Sequence, residues 1–238
     1  MNTGAPQPSL RQIPVLLRGE SDTIESWLSQ RGLPQIFLFV AVIIVGSASY
    51  GAGMGLWRDP VQAGYTAMKF PLLILLTTFG NALLNGMLAP LLGLNINLRQ
   101  AFMAILMSFT IAAAILGAFS PLAIFLVWNT PPVADQATSF SSHSLILLTH
   151  VAAIAFAGIA ANLRLLRLLH QLSGSREVGW KILLAWLAGN LFLGSQLSWI
   201  FRPFIGSPGL PLEFLRQDAF RGNFYETVFR ALKQLLLT

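Results

Sequence analysis

His143 and His150 stand seven residues apart, a spacing that puts both imidazoles on one face of a helix. His150 falls inside a long apolar run, where an ionisable side chain is a candidate for proton relay or ligand binding. The plainer role is a neutral imidazole hydrogen-bonded across a helix interface. Two histidines without nearby carboxylates make a poor metal site, and no metal or other cofactor is expected. Thr77, Asn81 and Asn85 recur at i, i+4 and i+8 and so also share one helical face. Amides in hydrocarbon need partners, so this face should point into a bundle. It either lines a polar pathway or supplies hydrogen bonds between helices. Familiar catalytic patterns are missing. There is no H-E-x-x-H zinc helix, no G-x-S-x-G elbow and no G-x-x-x-x-G-K-[ST] loop. The expectation is a protein without enzymatic activity.

A third polar group follows the last long apolar run. Arg202 leads into Pro203, Phe204, Gly206, Ser207 and Pro208, a stretch too rich in proline and glycine for regular helix. Arg202 can anchor a span at the headgroups, or bind an anionic lipid or a partner. Further on, Asn223, Phe224, Tyr225 and Glu226 open an amphipathic run to Leu237, with Asn223 and Glu226 at capping-box spacing. That run is too short and too charged to cross a bilayer, and should lie on the membrane surface or against the bundle.

The elements that must position these groups are membrane spans. Of 238 residues 55% are hydrophobic and 10% charged, against about 25% charged in ordinary soluble domains. The charges lie between long uncharged stretches. The expected fold is an all-α polytopic transmembrane bundle of about five spans: 34–57, 70–94, 101–128, 144–163 and 180–201. Pro121 is expected to kink the third near its end. Trp57, Trp128, Trp180 and Trp199 sit at span ends, where an amphipathic ring partitions best. No acidic or basic residue is expected well inside a span, and Lys69 is placed at the mouth of the second. Residues 1–33 form a tail, irregular to residue 19 and then a short amphipathic helix over Glu20–Arg31; residues 202–238 are a flanking C-terminal region.

Lys and Arg number eight on the side of the N-terminal tail against seven on the other, and eight against two when the C-terminal segment is set aside. The second count favours the N-terminus in the cytoplasm and the C-terminus outside, the alternative being a sixth crossing or a re-entrant segment that returns the basic C-terminal segment to the cytoplasm. Absence of cysteine excludes disulfides, thiolate zinc and iron–sulfur sites. The net charge of +6 is dispersed rather than gathered into a stripe, so the expected partners are the lipid bilayer and membrane proteins, not nucleic acid. Ser47, Gly51 and Gly55, and likewise Ala153, Ala157 and Ala161, form small-residue seams for close packing against another span or a second copy of the chain.

The blocks Trp199, Arg202-Pro203-Phe204, Gly206-Ser207-Pro208 and Gly222-Asn223-Phe224-Tyr225-Glu226 resemble a group of uncharacterised bacterial polytopic inner-membrane proteins. The resemblance covers roughly the last forty residues and implies the inner membrane as location, without an activity. Five spans with the N-terminus inside are also similar, in architecture alone, to Yip1-type proteins, which act through partners rather than chemistry. The leading expectation is a scaffold or accessory subunit of a membrane complex, with the Arg202–Glu226 region as its partner surface. The alternative is a small-solute permease or channel using Thr77, Asn81, Asn85 and His150.

Overall fold

The computed structural model describes residues 12–18, 33–131, 136–207 and 209–226. The expected helix at Glu20–Arg31, Pro208 and the amphipathic run beyond Glu226 lie outside the described residues. Five helices are long and apolar enough to cross a membrane: α2 (Leu33–Leu56), α3 (Pro60–Leu91), α4 (Leu98–Trp128), α5 (Gln136–Ser173) and α6 (Arg176–Phe201). A short helix, α1 (Gln12–Arg18), precedes them. The tail was expected to be irregular here. Instead Leu16 is fully buried and Arg164 Nε on α5 donates to Leu17 O at 3.1 Å, which holds this turn against the bundle.

Local chemistry sets the helix starts. Asp59 caps α3 by accepting from Val61 N at 2.7 Å, and Pro60 occupies the first turn, where its missing N–H costs nothing. Asn97 and Gln100 form a reciprocal capping box on α4, and Ser175 caps α6. These caps begin the helices before the apolar runs do. The expected second span is thereby corrected at its start: α3 opens ten residues before Phe70, so Lys69 lies within the helix, fully buried, rather than at its mouth. The α5 helix likewise runs past residue 163, the expected end of the fourth span, through Arg164 and Arg167. Pro71, Pro90 and Pro121 are all accommodated within helices.

The helices α2, α3 and α4 pack mutually as a three-helix core. The α5–α6 hairpin closes against it, α5 on α4 and α6 on α3. In lipid, close backbone approach rather than the hydrophobic effect drives such packing. A Cβ on Gly51 would lie 2.7 Å from Thr66 O, and one on Gly55 2.6 Å from Gln62 O. This seam therefore joins α2 to α3 within the chain, with Ser47 also buried beside it. A second face of α2 was not foreseen. A Cβ on Gly46 would strike the carbonyl of Ala113 on α4, and one on Gly117 would come within 2.9 Å of Gly46 Cα. Ala157 and Ala161 on α5 are fully buried and Ala153 half-buried.

Helices α5 and α6 are pinned together where they join: Gly174 adopts φ +64° in the turn, and the Gly179 site is filled by the His170 ring. At the other end they open around a cavity. Trp57, Trp128 and Trp199 all lie at that end, and Trp57 Nε1 donates to Pro131 O across it at 3.0 Å.

Candidate functional site

The Pro/Gly segment after α6, left open in sequence, docks on the bundle. Residues 202–207 run back over the start of α3, whose polar side chains satisfy its carbonyls. Gln62 Nε2 donates to Pro203 O at 3.1 Å and Phe204 O at 2.8 Å, and Thr66 Oγ1 donates to Phe204 O at 2.6 Å. Lys69 Nζ donates to Pro203 O at 2.8 Å. The Arg202–Pro203 peptide is cis. Gly206 turns with φ +86°, and Arg58 Cγ lies 2.9 Å from where its Cβ would be, so only glycine fits beside Arg58. The Phe204 ring meets Phe70 edge-on at 6.3 Å.

The segment continues along the outer side of α6. Asn223 Oδ1 accepts from Glu226 N at 2.8 Å, the N-cap that its spacing predicts. Ser195 Oγ donates to Tyr225 Oη at 2.7 Å, Tyr225 Oη donates to Leu191 O at 3.3 Å, and the Tyr225 ring stacks on Phe192. Phe224 and Tyr225 meet edge-on. Together residues 202–207 and 209–226 form a strap over one end of the bundle and down the flank of α6.

Under the strap lies a cavity of about 630 Å³. That is within the ~300–1,000 Å³ typical of small-molecule sites. Its floor is apolar, with Met54, Leu73, Leu147 and Ile154. Its roof is the strap, including Arg202, Pro203, Phe204, Gly206, Ser207 and Arg216. Leu147, Val151 and Ile154 line it while remaining exposed, so it opens along the flank of α5.

His150 lines the cavity and is fully buried. Its Nδ1 is 2.7 Å from Tyr50 Oη, and the rings meet edge-on at 5.3 Å. Its Nε2 has no partner among the described residues. With Tyr50 as donor to Nδ1, Nε2 carries the imidazole proton and offers it to an acceptor. His143 lines the same cavity beside Trp57. The two histidines therefore do share a face, and the deeper one is about 10 Å further in at 1.5 Å per residue. Among the described residues no group of three or more His, Asp or Glu could hold a metal ion.

The polar face of α3 is elsewhere. Thr77, Asn81 and Asn85 are buried, and the side facing them is α6: a Cβ on Gly189 would lie 2.7 Å from Asn81 Oδ1. None of the three lines the cavity. Asn85 Nδ2 donates to Asn81 Oδ1 at 3.5 Å, within one helix rather than between two. The structure thus separates two features, the α3 face and His150, that the permease expectation joins into one pathway.

The strap brings together cations that sequence spacing could not connect. Arg202 lies 3.6 Å over the Trp199 ring and pairs with Asp218 at 3.0 Å. Arg216, its side chain only 14% exposed, pairs with Glu213 at 3.3 Å. Arg58 donates to Leu210 O at 3.2 Å. Lys69 faces the Phe214 ring at 5.0 Å and the Tyr65 ring at 5.8 Å, and none of its partners among the described residues is a carboxylate. Lys69 and Arg216 are among the site residues that sequence reading missed, together with Tyr50, Arg58, Gln62 and Thr66. The Asp59-Pro60 start signal, which draws the helix back past Lys69, was the one available clue to the lysine.

No family model, curated protein or solved structure matches this chain.

Proposed function

We propose that this integral membrane protein is a non-enzymatic accessory subunit that admits a bilayer-borne ligand through the flank of α5 and holds it beneath the C-terminal strap. The observation that carries this reading is that one cavity is walled by exposed apolar residues of α5 on one side and by the strap on the other. The strap is also the most accessible described region for a partner. Phe220 on it is 81% exposed, an uncommon cost for an aromatic ring unless lipid or protein covers it. Ligand occupancy would thereby be transmitted to a surface that another membrane protein can read. The resemblance of the strap sequence to bacterial polytopic proteins is consistent with an inner-membrane location.

The cysteine-free chain makes the test direct, because each introduced cysteine is the sole thiol. Leu147→Cys and Ile154→Cys, spin-labelled on the purified protein and returned to vesicles, should be relaxed by oxygen, which concentrates in hydrocarbon, and shielded from a water-soluble nickel chelate. Asn81→Cys should resist a water-soluble maleimide in intact membranes. Rapid labelling of Asn81→Cys by that reagent would instead favour a hydrated pathway along α3.

A further inference from the structure

The cavity joins an apolar floor to a cationic roof, and that pairing specifies its occupant more closely than size does. Resting on the proposal that a bilayer-borne ligand enters along α5, we propose that the occupant is an anionic glycerophospholipid. Its phosphate meets Arg216 and Arg202, and an acyl chain lies along Leu147, Val151 and Ile154.

Arg216 is the centre of the argument. A guanidinium has five N–H donors. Arg216 spends one, on Glu213, in a largely buried setting, while lining the cavity. Arg202 lines the cavity as well, and its bonds to Trp199 O, Asp218 O and Asp218 Oδ2 leave Nε unused. Planar guanidinium donors match phosphate oxygens in geometry as well as charge. Behind them stands Lys69, buried against Pro203 O and two aromatic faces, with no carboxylate among its partners in the described residues. Its charge adds to the positive potential of the roof in a region where water screens little.

Deeper in, His150 Nε2 is a buried polar atom without a partner among the described residues, and its residue lines the cavity. An ester carbonyl of a glycerolipid is an acceptor of the kind it needs. The position of the cavity agrees. Trp57, Trp128 and Trp199 mark its end of the bundle as the interfacial layer, where phosphates reside, and Ile154 lies further toward the hydrocarbon. A soluble anion would satisfy the roof and leave the apolar floor empty. A neutral hydrocarbon would satisfy the floor and leave the donors unused.

The experiment is native mass spectrometry of the purified full-length chain with phosphatidylglycerol or phosphatidylcholine of identical acyl chains, with inorganic phosphate as competitor. Both lipids carry the phosphodiester, but choline adds a quaternary ammonium that the cationic roof repels, so phosphatidylglycerol should bind roughly tenfold or more tightly than phosphatidylcholine. Arg216→Gln should remove that preference and Arg216→Lys should restore part of it. Ile154→Trp, which fills the floor, should lower binding of both lipids. Thermal unfolding in detergent shows which variants keep the fold, and the preference is read only on those; the wild-type comparison stands even if Arg216→Gln does not fold. Equal affinity for both lipids, with Ile154→Trp still inhibitory, would overturn the anionic assignment and leave the cleft intact. Phosphatidylglycerol binding that Ile154→Trp leaves undiminished would overturn it too, by placing the lipid on the outer surface. Full competition by phosphate at low millimolar concentration would assign the roof to a free anion. Absence of any bound lipid, together with spin labels at Leu147→Cys and Ile154→Cys that oxygen does not relax, would sink the cleft reading itself.

Discussion

At the scale of single residues, the sharpest constraint is the contact between α2 and α3. Gly55 gives the backbone of Gln62 room, whereas Gly64 on α3 faces open space. Gly55→Ala should therefore destabilise the protein by about 1–3 kcal/mol through overpacking, while Gly64→Ala should be neutral or slightly stabilising in a helix. Thermal unfolding in one detergent compares them directly. Lys69 makes a second residue-level case. Its amine and the Gln62 and Thr66 side chains are the polar groups holding Pro203 and Phe204. Lys69→Met leaves a carbonyl less satisfied and should cost about 1–3 kcal/mol. It should also loosen the strap, so trypsin should cut after Arg216 faster than in the wild type. An unchanged cleavage rate would mean that Lys69 does not hold the strap. Lys69 was misplaced from sequence because a hydropathy profile locates apolar runs, whereas a helix starts at its cap. The cap at Asp59 extends α3 through residues whose burial depends on a segment more than 130 positions away.

At the scale of elements, the α3–α6 seam shows how a polar face is sealed. Asn81 Oδ1 occupies the space that any side chain at position 189 would need. Gly189→Ala alone should destabilise, by about 1–3 kcal/mol for an enforced clash. Adding Asn81→Ala should recover part of the loss, a coupling that a double-mutant cycle measures. Simple additivity would show that the two helices do not meet there. The periodicity of Thr77, Asn81 and Asn85 was legible in sequence and predicts correctly that the face is buried. Its neighbour was not legible, because a face at 3.6-residue period states which side turns inward and not which helix covers it. The same holds for Gly51 and Gly55, which sequence could assign equally to another span or to a second copy. The structure joins them to α3.

At the scale of the whole molecule, five crossings put the two ends of the bundle's chain on opposite sides of the membrane. If the N-terminal side is cytoplasmic, as the charge count proposes, the strap and the mouth of the cavity face the other side. A cysteine placed at Phe220, on the exposed part of the strap, should then react with a membrane-impermeant thiol reagent added outside intact cells, and one placed at Gly174 should not. The reverse labelling pattern would invert the orientation, and the cavity would then draw on the cytoplasmic leaflet.

Membrane crossing was determined by the sequence alone, because hydrocarbon demands ~20 apolar residues per span with every backbone group satisfied internally. That demand is local, and it is written in composition, charge exclusion and terminal tryptophans. The strap as a region of distinct character was also visible, since three prolines and two glycines in ten residues forbid regular helix. Only the tertiary structure decided what the strap covers. Its carbonyls find Gln62, Thr66 and Lys69, and its arginines roof a cavity floored by α5. Those pairings join residues far apart in the chain, and their energies come from contacts that no local pattern records.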